Sequence, residues 1–152
     1  WEGDTIIGKG RQSALLTLVE RKSLLTVIIK LKDRSASGLA DQLTQTMKQW
    51  AEHFETLTVD NGKEFAQHKR IAQELKADVY FAHPYSSWER GINENTNGLI
   101  RQYFPKGTDF NTVTDAQIKQ VMQRLNKRPR KTRGYKTPHE LFLGQPVDLL
   151  AV

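Results

Sequence analysis

Apolar residues in the first thirty positions fall into short runs, Ile6-Ile7, Leu15 to Val19 and Leu24 to Ile29, inside extended segments 2–9, 14–21 and 24–31. Polar joints separate them, a pattern that predicts three strands joined as antiparallel hairpins. The period then changes. Behind a capping serine, Ser35 or Ser37, the positions Leu39, Leu43, Met47, Trp50 and Phe54 recur at three-to-four-residue spacing and predict a helix with one buried face. A short strand follows at 56–59, ending on Asp60-Asn61-Gly62. A helix from about Glu64 to Leu75 and a strand from Ala77 to Ala82 come next. After the turn-like segment 83–87, a helix is predicted from about Arg90 to Phe104. Thr114-Asp115-Ala116-Gln117 is a capping-box pattern opening a helix with Ile118, Val121, Met122 and Leu125 on one face. Thr137-Pro138-His139-Glu140 opens a last short helix through Leu141 and Phe142, with proline at its first position. The order βββ-α-β-α-β-α-α implies an α/β domain with a mixed five-stranded sheet flanked by helices, the later strands parallel to the first.

Composition adds a partner and removes some chemistries. The 23 lysines and arginines outnumber the 17 acids, for a net charge of +6, which favours a polyanion such as DNA. There is no cysteine, so disulfides and thiolate-bound zinc are excluded and a cytoplasmic setting is expected. The longest apolar stretch, Leu24 to Leu31, contains Thr26 and Lys30 and is far short of the roughly 20 residues of a membrane span. With 152 residues, 1–152 is expected to form one domain. Its start at Trp1 without an initiator Met is read as that of a piece of a longer protein with an amino-terminal DNA-binding region.

Two acids fall where ligands collect: Asp4 in the first strand and Asp60 at the carboxyl end of the fourth. Either alone reads equally as a solvated acid or, in Asp60-Asn61-Gly62, a turn former. Their setting is more specific. Trp1-x-x-Asp4, Asp60-Asn61-Gly62-x-Glu64-Phe65, Pro84-Tyr85 and Gly91-x-x-Glu94 together resemble DDE transposases and retroviral-type integrases, with 33 residues between Asp60 and Glu94. The block from His83 through Glu94-Asn95-x-Asn97-Gly98-Leu99, followed by Arg101-x-Tyr103-x-Pro105-Lys106-Gly107-Thr108, looks like transposases of the bacterial insertion-sequence-30 family. The resemblance covers nearly the whole chain. It implies a ribonuclease-H-like fold, a catalytic and metal-binding triad of Asp4, Asp60 and Glu94, and DNA cleavage followed by strand transfer on a nucleoid substrate, by a homo-oligomer that synapses two transposon ends.

Helix geometry gives Glu94 a separate reading. At 100° per residue, Asn97, Gly98 and Arg101 fall within about 60° of it. Ile92, Leu99, Ile100, Tyr103 and Phe104 lie on the far side, so Glu94 is expected to project away from the core. Three crowded carboxylates repel one another and call for cations. Two Mg2+ or Mn2+ ions about 4 Å apart would neutralise them and activate a phosphodiester. Candidate DNA contacts are Arg101, on the Glu94 face, Lys106, and Arg128, Arg130 and Lys131 in a basic loop interrupted by Pro129 and Gly134. Surface cations and a solvated connector are the plainer readings of these residues. A ribonuclease-H-type nuclease and a DNA-binding module without catalysis are the competing functions.

Overall fold

A computed structural model describes residues 1–144. Five strands, β1 (Glu2–Ile7), β2 (Ala14–Val19), β3 (Thr26–Leu31), β4 (Thr56–Val59) and β5 (Asp78–Phe81), form one sheet in the order β3-β2-β1-β4-β5. The first three are antiparallel neighbours, whereas β4 pairs parallel with both β1 and β5. This is the mixed sheet the element order predicts. The helices α1 (Ala36–Met47) and α2 (His68–Leu75) lie on one face of the sheet. On the other are α3 (Gly91–Arg101) and α4 (Asp115–Asn126), and a short α5 (Pro138–Leu143) follows.

Strand alternation sorts the side chains between two cores. Leu16, Leu18, Val27, Ile29, Leu57 and Val59 pack with Leu39, Leu43, Met47, Ile71 and Leu75 of α1 and α2. Ile6, Leu15 and Ile28 pack with Ile100, Val121 and Leu125 of α3 and α4. All six residues of β2 are buried, which is why its apolar run is nearly continuous rather than alternating. Capping fixes the helix starts. Ser35 accepts the Gly38 N–H at 3.0 Å, and Thr114 and Thr137 each close a capping box, a device worth about 1 kcal/mol per helix.

Several boundaries differ from the periodic reading, each for a packing reason. β3 starts at Thr26 rather than Leu24, because Leu24 has φ 66° in a turn that the Glu20 carboxylate closes by accepting the Ser23 N–H at 2.7 Å. α1 stops at Met47, and the following 3-10 helix (Lys48–His53) turns Trp50 against Phe142 and leaves Phe54 against Trp1. Trp50 is thus half-buried at the rim of the core. The helix expected over 64–75 is broken into a 3-10 turn (Lys63–Phe65) and α2. In one continuous helix Phe65 would stand about 120° around the axis from Ile71; the break lets both be buried.

Candidate active site

Asp4 sits in the middle of β1, on the face shared with Ile6 and covered by α3. Glu2 pairs with Thr58 in the parallel register, so two residues further along both strands Asp60 comes abreast of Asp4. The two carboxylates are near enough for the Asp60 charge to act on Asp4. Asp60 lies just past the end of β4, where its Oδ1 accepts the Gly62 N–H at 3.2 Å. A Cβ added at Gly62 would lie 2.5 Å from Glu64 Oε2 and 2.9 Å from that same Oδ1, so both carboxylates would have to move to admit one.

Asp4 is held on three sides. Its Oδ1 accepts the Thr5 N–H at 2.9 Å, its Oδ2 accepts from Asn97 Nδ2 at 3.0 Å, and Arg90 Nη1 stands 3.4 Å from Oδ1. Burial pushes the Asp4 carboxyl pKa up and the nearby Asp60 charge adds to this, while the Thr5 N–H and Arg90 pull it down. An aspartate pair in this state fits a divalent cation: it offers hard oxygen donors and a repulsion that added positive charge relieves. Arg90 supplies such a charge from the protein. Among the described residues its Nε is buried without a hydrogen-bond partner.

Glu94 is on α3, exposed. The buried residues of that helix are Asn93, Thr96 and Ile100, so Glu94 projects from the opposite side, as the 100° repeat predicts. It lies one residue triplet before Asn97, the residue that touches Asp4, and (i, i+3) pairs share a helix face. The structure therefore brings Asp4 and Asp60 together and carries Glu94 on the helix pinned against Asp4. Among the described residues, no group of three histidine, cysteine or acidic side chains is gathered closely enough to hold a metal ion.

Of the polar residues that pin α3, Asn93 and Asn97 lie in the motif block without a role assigned to them there, and Thr17 is not singled out at all. Thr17, opposite Asp4 in the β1–β2 register, is fully buried and donates to Asn97 Oδ1 at 2.8 Å. Asn93 Nδ2 donates to the carbonyls of Glu2 at 3.0 Å and Thr17 at 3.3 Å. Their signal in the sequence is faint: Asn93 and Asn97 are four apart on the helix, and Glu2, Asp4 and Ile6 share a strand face.

The expected cationic DNA contacts divide. Arg101 donates through Nη2 to the Ile7 carbonyl at 3.0 Å and through Nη1 to those of Phe104 and Pro105 at 3.4 and 3.3 Å. It closes the chain break after α3, and burial lowers its pKa. Arg130 is likewise half-buried, donating to the Leu125 carbonyl at 3.1 Å at the end of α4, with its pKa lowered by burial and by Arg128. Lys106, Arg128 and Lys131 are exposed. Glu89 lies in a 3-10 turn (Ser87–Arg90) before α3; its carboxylate accepts the His83 N–H at 2.7 Å and contacts His83 Nδ1 at 2.9 Å.

Comparison with known proteins shows the family and the fold. The Integrase core domain family matches residues 1–87. The chain is 51% identical over 141 residues to the transposase for insertion sequence element IS4351 of Bacteroides fragilis, covering 93% of this chain and 43% of that protein. It is 43% identical over 143 residues to the transposase InsI for insertion sequence element IS30A of Escherichia coli, covering 93% of this chain and 37% of that protein. The chain thus spans less than half the length of these relatives. The catalytic core of BIV integrase superposes with a TM-score of 0.68 at 20% identity, covering 95% of this chain and 93% of that one. A chain of a simian T-cell lymphotropic virus intasome superposes with a TM-score of 0.73 at 20% identity, covering 97% of this chain and 55% of that one. The fold is ribonuclease-H-like, as the motif resemblance implies.

Proposed function

Since the chain belongs to the integrase core domain family, among transposases of the insertion-sequence-30 type, we propose that it is the catalytic domain of a DDE transposase acting on transposon ends and target DNA. The observation that carries this reading is the placement of Asp4 and Asp60 abreast on neighbouring parallel strands, under a helix that bears Glu94 and is tied to Asp4 through Asn97. Asp4, Asp60 and Glu94 would hold Mg2+ or Mn2+. Such ions would supply the positive charge that favours the deprotonated attacking oxygen and stabilises the leaving one.

The chain's own residues do the rest. Asn97 and the Thr5 N–H orient the Asp4 oxygens, and Arg90 balances their charge. Lys106, Arg128 and Lys131, which are exposed, are the cations free to meet phosphates in this reading. Arg101 and Arg130 act first as backbone braces and touch DNA only if those hydrogen bonds are exchanged. Transposon-end recognition and synapsis fall to other parts of a longer protein and to further copies of it, in the bacterial cytoplasm at the nucleoid. Among the described residues no helix is long and apolar enough to cross a membrane.

A thermal-shift titration with Mn2+ or Mg2+, paired with strand transfer on terminal-repeat oligonucleotides, tests the proposal. Wild type should gain stability with metal, because binding to the native state alone stabilises it. Asp60→Ala should lose most of that gain and all joining. An unchanged metal response in Asp60→Ala would refute the site, and cleavage without joined products would favour the nuclease reading.

A further inference from the structure

Glu2 lies on the same face of β1 as Asp4, yet it is 3% exposed and points its carboxylate at helix α3. Its Oε2 accepts the backbone N–H of Asn93 at 2.8 Å, and its Oε1 receives Arg21 Nε at 3.0 Å. Arg21 extends the same link: its Nη2 donates to the Glu89 carbonyl at 2.9 Å and reaches Thr58 Oγ1 at 3.5 Å. One ion pair, with its carboxylate buried and its guanidinium half-exposed, therefore grips the chain at 89 and again at 93, on both sides of Arg90 and Gly91. Glu94 is the next residue.

The start of α3 needs such a grip. Its N-cap, Arg90, makes no side-chain cap hydrogen bond and has φ −130°, ψ 29°. The first N–H groups of a helix have no partner inside it. Gly91 has nothing near the position of a side chain and so adds no packing of its own. A strand carboxylate takes over the role of a cap here, and negative charge is favoured at a helix N-terminus. A carboxylate left in this buried place without Arg21 and the Asn93 N–H would be costly, so the pair holds its geometry tightly.

We propose that Glu2 and Arg21 form a positioning brace that sets the rotation and height of the first turn of α3, and thereby where Glu94 stands relative to Asp4 and Asp60. The inference rests on the three-acid reading of the site. Neither brace residue touches the reacting groups. Both act through the backbone at 89 and 93.

Amide hydrogen exchange on the metal-free chain tests the brace directly, followed by single-turnover DNA cleavage. In wild type the Asn93 amide should be protected. Glu2→Ala should speed its exchange by at least about 100-fold while the β2 amides of Leu16 and Leu18 keep their protection. A merely global loss of stability would move all three. Glu2→Gln retains an acceptor oxygen and should restore most of the Asn93 protection. Cleavage should fall about 10- to 100-fold in Glu2→Ala with duplex affinity unchanged, and recover partly in Glu2→Gln. If Glu2→Ala does not fold, Arg21→Met removes the other half of the pair from a half-exposed position and should raise Asn93 exchange by about 10-fold. Asn93 exchange unaltered in the folded variants, or altered with wild-type cleavage, overturns the brace. Asp60→Asn and Glu94→Gln serve as controls: if they cleave normally, it is the three-acid reading that fails, whereas dead controls beside fully active brace variants remove the brace alone.

Discussion

Asp4 is asked to be charged in a place where charge is costly. Burial and the neighbouring Asp60 raise its pKa above the ordinary value of 3.8, against the pull of the Thr5 N–H and Arg90. Between 3.8 and the raised value the folded protein keeps a proton that the unfolded chain has released. Stability from this group therefore falls as pH rises through that window and stays lower above it. Asn at position 4 keeps an oxygen for the Thr5 N–H, gives up the acceptor for Asn97 Nδ2, and removes the charge. We expect Asp4→Asn to raise the thermal midpoint at pH 7 by roughly 2 °C, a fraction of what one kcal/mol gives a domain of this size. The gain should vanish below the ordinary aspartate range, where both side chains are neutral. Melting curves at the two pH values measure this. A midpoint at pH 7 no higher than wild type would mean that the Arg90 attraction outweighs burial. The same variant should be inactive, as expected where a site stores unfavourable charge for function.

At the scale of the element, α3 and the turn before it decide which glutamate matters. The 100° repeat separates exposed Glu94 from buried Ile100, and that much was legible because apolar side chains mark a helix face. The burial of Asn93 was not. The same repeat places it near the Phe104 direction, but its polarity argues against burial until the strand carbonyls that satisfy it are known. Next to Arg90 in sequence, Glu89 reads as a residue of helix entry or an Arg90 partner; instead it closes the preceding loop through His83, and those hydrogen bonds hold its pKa below the usual range. Glu94→Gln should leave circular dichroism and DNA affinity intact while lowering cleavage and joining by about 1,000-fold or more, through loss of a metal-binding charge. Glu89→Gln keeps an acceptor for the His83 N–H and should cost less than about 10-fold in the same single-turnover assay. The reverse ranking would move the third acid to position 89.

Across the whole molecule, the strands and the sense of their connections were readable from local pattern, since each hairpin and helical crossover leaves turn and capping signals in sequence. The meeting of Asp4 with Asp60 was not, because the β1–β4 register joins positions 56 residues apart and is set by packing on both sheet faces. The basic loop illustrates the same limit for charge. Composition treats Arg128, Arg130 and Lys131 alike, whereas the fold turns Arg130 inward to the Leu125 carbonyl and leaves the other two exposed. Their substitutions should therefore separate. Each phosphate that the protein no longer neutralises reduces the slope of log affinity against log salt by about 0.9. Replacing Arg128 and Lys131 together by alanine should thus flatten that slope by about 1.8 if both meet DNA, with little change in thermal midpoint. Arg130→Ala should instead destabilise the fold by about 1 kcal/mol, the usual effect of removing one hydrogen bond, and leave the salt slope nearly unaltered. Fluorescence-anisotropy titrations of nonspecific duplex at several salt concentrations, with melting curves of each variant, measure both quantities. A full slope in the double variant would return the loop to a solvated connector. A flattened slope in a fully stable Arg130→Ala protein would make the buried arginine a DNA-binding residue after all.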